Sequence, residues 1–528
     1  MNINESGAFY MENKTEIKFM RNLRCAPTFT DSSAEYALPD YNGDVRKILY
    51  TGAEVRPSGK FASGDEVEYS GIVVYDVIYL DAENKLTSVT FTSDYDYSVK
   101  CSGENYHDSF AETSVANYAI RLIGPRKIAA KASVSGAVRL VETDSANIGG
   151  DAFEGDESPE IETRCYKIRK SLSSSGLERE YAESVARLDG AIADEVSVIS
   201  SAADVAVEEI LLGDGCVTVR GNLTLFALIK NGDIPAYQRE KVISFEENLP
   251  FADAEEGMKF IPEVNVASLV ATINAQEFGT EVVVSAVLDF YAIGEGNEDG
   301  EIVTDAYLKS CAVDNKYEDF SYSELSQVIT SREAESGSVQ RSEIEAEGIR
   351  EILLLKGTPK IDSISCNDGK LTVAGDLKYN GVASVIDEEG AIGYVPLKFS
   401  LPFERSLEVD ENSSISYDVH LKAHNATATF DAAKLYVTCN LEIVAAVCED
   451  KHIKRLASSK ALHDQPFEKN ESRIVIYYPS EGEDLFSVAK KYRTTSAKII
   501  ADNMLTAEVM AAANGESTPV HAKKLLIY

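Results

Sequence analysis

The chain has 528 residues, 44% of them apolar and 26% charged, with 26 tyrosines and no tryptophan. Lys plus Arg total 51 against 87 Asp plus Glu, a net charge of −36; such a surface repels phosphate backbones and anionic lipid, which excludes nucleic acid and membrane surfaces as direct partners. The same charge keeps the chain in solution and favours basic protein partners, and the length suits roughly three to five domains.

Met1 to Lys14 is polar and lacks the apolar core and small-residue cleavage site of an export signal. No apolar run reaches the roughly 18 residues of a membrane-spanning helix. The eight cysteines (Cys25, Cys101, Cys165, Cys216, Cys311, Cys366, Cys439, Cys448) contain no Cys-x-x-Cys pair. Together these features predict a cytoplasmic protein with buried, reduced thiols.

The first clear strand pattern runs from Glu66 to Leu80 around Gly71. It returns from Cys216 to Phe226 around Gly221, and from Lys370 to Tyr379 around Gly375, at spacings of 150 and 154 residues. An apolar pair begins 23 residues before each glycine: Ile48-Leu49, Val198-Ile199 and Ile352-Leu353. Alternating strands close each unit at Ala132–Val141, Val282–Tyr291 and Leu435–Val444. Three landmarks sharing one period predict a triplicated domain, because solenoid repeats are only about 20–50 residues long. Hairpin turns fit Ala82-Glu-Asn-Lys85, Lys230-Asn-Gly-Asp233 and Asp387-Glu-Glu-Gly390. A glycine inside a strand marks a bulge or a close backbone approach, with a ligand contact the lesser reading. Leu177 to Leu188 reads as a short helical or irregular lead into the second unit. The acidic, Gly-rich runs Ile148–Glu162 and Gly294–Glu301, and the polar run Ser458–Ser472, read as linkers.

From Ile474 the pattern changes. A short apolar strand precedes a Gly-acid turn, and Leu485, Val488, Ala489 and Tyr492 then lie on one helical face. Asp484 is placed to cap that helix. A second helix starts at Thr495 or Ser496 and ends near Asn503, and Lys524–Tyr528 gives a second strand. The predicted fold is therefore mainly β: three tandem β-sandwich or open-barrel-like repeats at residues 1–148, 160–299 and 304–455, then a small βααβ, α+β domain at 473–528.

Gly482, Leu485, Ala489, Tyr492, Ile499, Asn503, Leu525 and Ile527 in that order resemble the LysM module. Glu483-Asp484 stands where that family has Asp-Thr, Phe486 replaces its common Trp, and Met504–Lys523 is longer than usual. The resemblance implies a shallow groove formed by Gly482, Glu483, Asp484, Leu485 and Phe486 with Asn503, Met504 and Leu505. Within it, Leu485 also suits the core, Asp484 a helix cap and Asn503 a helix end. Phe486 lies off the apolar face and is expected to be an exposed anchor.

Val45-Arg-Lys-Ile-Leu49 with Val67–Val73 resembles the SPOCS (spore and coat) domain, as does Arg350-Glu-Ile-Leu353 with Leu371–Leu377. The middle copy, Glu195-Val-Ser-Val-Ile199, has lost the basic residue. SPOCS domains followed by a LysM module are similar to the clostridial spore-coat morphogenetic proteins. That resemblance implies a non-enzymatic adaptor in the mother-cell cytoplasm at the forespore surface. Its terminal module would bind the spore coat morphogenetic ATPase, and its repeats would recruit other coat proteins. The LysM fold alone implies the alternative, a protein that binds N-acetylglucosamine polymers such as peptidoglycan.

No catalytic signature accompanies these modules. There is no phosphate-binding Gly-x-x-x-x-Gly-Lys-[Ser/Thr], no Gly-x-Ser-x-Gly and no His-Glu-x-x-His. The run Gly294–Gly300 imitates a phosphate loop, but its carboxylates oppose phosphate. His420 and His424 form the closest histidine pair. On a strand they lie roughly 13 Å apart, too far to share one metal ion. The sequence thus predicts no catalytic residue, no metal site and no cofactor.

Overall fold

Apolar residues recur at every second position through most of the chain, and that period folds it as antiparallel sheet. The computed structural model describes residues 16–147, 159–232, 234–344, 348–386, 390–410, 415–467, 474–480, 483–505 and 524–528. Among the described residues 80% are strand and 6% helix, which makes the fold mainly β as expected.

The first seven strands are β1 (Glu16–Arg24), β2 (Thr28–Ala37), β3 (Val45–Ser63), β4 (Glu66–Asp81), β5 (Leu86–Lys100), β6 (Tyr106–Gly124) and β7 (Lys127–Asn147). Strands β3-β4-β5 form a three-stranded meander. Strand β7 pairs with β6 along one edge and with β2 and then β1, end to end, along the other. Val67, Val73, Tyr75 and Tyr97 of the meander pack against Ile128, Ala132, Val134 and Leu140 of β7, giving a core between two sheets.

Next come β8 (Glu160–Ser173), β9 (Leu177–Asp189), β10 (Val196–Leu212), β11 (Cys216–Asn231), β12 (Ile234–Pro250), β13 (Lys259–Gln276) and β14 (Gly279–Tyr307). Here β10-β11-β12 is the meander, and β14 pairs with β13 on one side and with β9 and β8 on the other. Strands β15 (Cys311–Gln340), β16 (Ile349–Asn367), β17 (Lys370–Ile386), β18 (Ile392–Glu408), β19 (Ile415–Phe430) and β20 (Lys434–Pro466) follow. The meander β16-β17-β18 faces the sheet β15-β20-β19.

The glycines within β4, β11 and β17 are explained by packing. A Cβ on Gly71, Gly221 or Gly375 would sit 2.4, 2.3 or 2.0 Å from the carbonyl oxygen of Arg56, Ala206 or Lys360. On the other side each glycine is paired with an aromatic residue: Tyr95, Phe245 and Phe403. A β-bulge follows each close approach, at Pro57/Gly59, Val207/Glu209 and Ile361/Ser363.

A second bulge in each first meander strand skips Leu49, Ile199 and Leu353. A bulge re-aims a side chain, and these three, 1%, 6% and 0% exposed, enter one shared cluster with Ile78, Leu228 and Val382. The three meanders therefore meet at a common apolar hub.

Three expectations are corrected. Leu177–Leu188 is strand β9, not a helical lead. Gly294–Glu301 is not a linker but the middle of β14, and Ser458–Pro466 belongs to β20. The glycines of β14 make room for neighbours: Gly294 faces Phe251 and Phe260, Gly296 faces Met258, and Gly300 faces Tyr166. Glu160–Glu162, at the end of the first linker reading, open strand β8. Residues 148–158 and 468–472 of the linker readings, Asp233 of the second hairpin turn and 387–389 of the third lie outside the described residues.

The chain ends with β21 (Val475–Tyr477), α1 (Leu485–Tyr492), α2 (Ser496–Asn503) and β22 (Leu525–Ile527), with β21 antiparallel to β22. Leu485, Val488, Ala489, Ile499, Leu525 and Ile527 form its core.

Candidate functional site

The residues predicted for the C-terminal groove fall into distinct structural roles. Asp484 precedes α1 with extended backbone and accepts from Ser487 N at 2.7 Å and from Ser487 Oγ at 2.7 Å. It satisfies one orphan backbone donor of the first turn. Leu485 is buried at 2% exposure. Glu483 closes the turn by accepting from Tyr477 Oη at 2.6 Å and from Ser480 N at 2.9 Å. These hydrogen bonds hold its carboxyl below the usual range. Asn503 Nδ2 donates to Ile499 O and Leu526 O, and its Oδ1 accepts from Leu526 N at 2.6 Å. That amide ties α2 to strand β22. Leu505 is half-buried against the core, whereas Met504 is 90% exposed in a left-handed backbone conformation, φ 47°. Gly482 lies outside the described residues.

Phe486 is half-buried rather than solvent-facing. Its ring meets Tyr307, at the end of β14, edge to face with centroids 5.1 Å apart. Tyr307 is 3% exposed and is part of the module's own apolar cluster. Its hydroxyl donates to Thr494 O at 2.5 Å. Burial raises the phenol pKa well above its ordinary value, with a smaller contribution from Glu160. Lys490 pairs with Asp305, and Arg493 lies over the ring of Phe467. An aromatic pair, a hydrogen bond and a cation–π contact each contribute about 0.5–1.5 kcal/mol, and the part-exposed ion pair about 0.2–1 kcal/mol. The dock is therefore specific but weak compared with the cores on either side. Helix α1 positions these groups because residues 486 and 490 are one turn apart.

A second concentration of chemistry lies where the three sheet groups meet. Strand β19 presents Asp418, His420, Lys422 and His424 at alternate positions, hence on one face. Each finds an opposite charge on a strand from another group. Asp418 pairs with Arg24, with Arg169 at 2.8 Å and with Arg139 at 3.4 Å. His420 Nδ1 lies 3.2 Å from Glu112, Lys422 Nζ 2.9 Å from Glu263, and His424 Nδ1 2.6 Å from Asp204. The two histidines thus have separate acid partners and do not converge on one ion.

Glu295 lies behind Asp418 and is fully buried. It accepts from Arg169 Nε at 2.8 Å, Arg169 Nη2 at 3.0 Å and Ser171 Oγ at 2.7 Å, and it pairs with Arg139 at 2.7 Å. Burial alone would raise the pKa of Glu295 and Asp418. The Arg139 and Arg169 guanidiniums outweigh it in both, helped at Asp418 by Arg24, and hold both carboxyls below their usual range. Burial likewise pushes the nearby Cys448 thiol up to about 11. An open cavity of about 440 Å³ borders this network and is lined by Arg24, Arg139, Arg169, Asp418, Asp450 and His452 among others. Their mutual pairing makes Arg24, Arg139, Arg169, Glu295 and Asp418 clamps between strands. Among the described residues no cluster of three or more His, Cys, Asp or Glu is arranged to hold a metal ion.

Sequence reasoning missed Tyr307, Asp305, Arg169 and Glu295. Only Glu295 carried a signal, as an acid in a run whose flanking glycines leave space for packed rings. Comparison with known proteins adds no relative: no family model, no curated protein and no solved structure matches this chain.

Proposed function

We propose that the protein is a non-enzymatic, SipL-like spore-coat morphogenetic adaptor with three SPOCS-type repeats and a LysM-type C-terminal module. In this reading the module binds the spore coat morphogenetic ATPase, and the repeats place other coat proteins around the forespore from the mother-cell cytoplasm. The observation that carries the reading is the pairing of two unlike parts. Residues 474–528 hold six Lys or Arg and six Asp or Glu, so the whole net charge of −36 lies in residues 1–473. A small neutral strand–helix–helix–strand module is thus displayed at the end of a large, acidic, β-rich body. Triplication is supported by the three meanders with one strand order, the three bulged residues sharing a hub, and the three glycines under carbonyls. Repeated units on one chain raise the effective concentration of whatever they recruit. Among the described residues no helix is long and apolar enough to cross a membrane.

A fluorescent fusion produced from the native promoter tests the cellular part of the proposal. A ring around the developing forespore is expected, and a diffuse signal throughout sporulation contradicts it. The competing glycan reading is favoured by the strand–helix–helix–strand order alone. Saturable binding of N-acetylglucosamine oligomers to the full chain, lost on deletion of Ile474–Tyr528, would replace the adaptor reading with it.

A further inference from the structure

The contact that holds the C-terminal module describes a ligand. Strand β14 ends in Asp305-Ala306-Tyr307, and an extended chain places residues 305 and 307 on one face. Ala306, between them, is fully buried in the body. The face carrying Asp305 and Tyr307 meets the module. Asp305 Oδ2 pairs with Lys490, the Tyr307 hydroxyl donates to Thr494 O, and the Tyr307 ring meets Phe486. Asp305 Oδ1 accepts from Asn315 Nδ2 at 2.9 Å, from Tyr317 Oη at 3.0 Å and from Ala306 N at 2.8 Å. Those bonds fix one oxygen and leave the other aimed at Lys490. What the module recognises is a carboxylate and a phenol two residues apart on an extended segment. The recognising groups are a lysine and an aromatic ring one helical turn apart, with a backbone carbonyl just beyond them.

We propose that this face of the C-terminal module is a receptor for extended acidic-aromatic segments of the form Asp-x-Tyr, and that Asp305-Ala306-Tyr307 is its internal ligand. A protein partner offering the same pair on an extended strand displaces Tyr307, takes its place on Phe486 and Lys490, and frees the module from the body. Recognition of this kind reads alternate side chains of an extended segment. The small dock suits it, because weak interfaces between parts of one chain open readily. The proposal rests on the reading of the module as the partner-binding part, and it supplies the chemistry of the partner. Under it, Phe486 is an anchor that is covered in the resting chain.

The test uses the full chain and a fluorescent heptapeptide, Val-Thr-Asp-Ala-Tyr-Leu-Lys, the sequence of residues 303–309. Anisotropy titrations compare the wild-type chain with Tyr307→Ala, which vacates the dock. Saturable one-to-one binding is expected, at least about tenfold tighter for Tyr307→Ala because the internal competitor is gone. It should weaken about two- to fivefold on Lys490→Ala in the chain or on alanine for the aspartate in the peptide, and be abolished by alanine for the tyrosine. Equal binding to both chains, no binding to either, or indifference to those alanines would overturn the proposal. Hydrogen exchange of the α1 amides reports whether the module stays folded in Tyr307→Ala. If it does not, Asp305→Asn, which keeps the ring, takes its place, and failure to bind the peptide more tightly than wild type is again decisive. A chain that binds the peptide but not the ATPase removes the functional reading and leaves this one standing.

Discussion

Glu295→Gln is the sharpest perturbation of the junction. The carboxylate is fully buried and bridges Arg169 and Arg139, whose side chains are 7% and 12% exposed. The amide keeps the volume and removes the charge, leaving two buried guanidiniums to share Asp418. Breaking one partner of a buried pair costs about 3–5 kcal/mol. The remaining carbonyl of glutamine keeps a hydrogen bond worth about 1 kcal/mol, so the expected loss is about 2–4 kcal/mol. Glu298 is exposed on the same strand, and Glu298→Gln should change stability by no more than about 0.5 kcal/mol. Urea unfolding followed by circular dichroism, with hydrogen exchange in β8 and β14 to locate the effect, measures both. The direction with pH follows from the depressed carboxyl. Its contribution is present above the unfolded glutamate value of about 4.3 and is lost as pH falls through the lower folded value. Wild type and Glu295→Gln should therefore differ most near neutrality and converge in acid. If Glu295→Gln is as mild as Glu298→Gln, the run 294–301 is a tether and the clamp is wrong.

His420 on β19 predicts the opposite pH trend. Burial lowers the His420 pKa, but the Glu112 hydrogen bond and charge, with Glu263 and Asp418, raise it overall. Its contribution is complete below the unfolded value of about 6.5 and fades as pH rises through the higher folded value. The stability difference between wild type and His420→Gln should be below about 1 kcal/mol, because the pair is part-exposed, and larger at pH 5.5 than at pH 8.5. Gly375→Ala forces a Cβ to within 2.0 Å of Lys360 O and should cost about 2–3 kcal/mol in thermal unfolding. Gly176→Ala, with no heavy atom within 4 Å, should be neutral or stabilise by about 0.5 kcal/mol. Phe486→Ala removes the edge contact with Tyr307 and should loosen the module by about 1–2 kcal/mol. Hydrogen exchange would then rise in α1 while the meander β16-β17-β18 stays unchanged.

Much of the fold was legible because a period of two along a strand is a local property. The pattern around Gly71, Gly221 and Gly375 marked β4, β11 and β17, and the apolar pairs near residues 49, 199 and 353 kept the same period. A bulge made those pairs important, and bulges leave little trace in residue type. Gly294–Glu301 was misread because glycine and carboxylate have the composition of a linker whether or not packed rings and guanidiniums stand opposite. Those opposing groups, Phe251, Phe260, Tyr166 and Arg169, come from distant positions. The same limit explains the terminal module. Helical spacing identified Leu485, Val488 and Ala489 as core and Asp484 as a cap. Nothing within residues 474–528 could reveal that Tyr307, nearly 180 positions earlier, covers Phe486.

The adaptor claim comes down to one binding measurement. Purified spore coat morphogenetic ATPase is titrated against the full chain and against a chain ending at residue 473, with circular dichroism confirming that the β-rich body of the shortened chain is intact. Saturable binding to the full chain and at least about a hundredfold loss without the module, equivalent to about 2.7 kcal/mol, is the predicted result. Undiminished binding by the shortened chain, or no binding by the full chain, would contradict it.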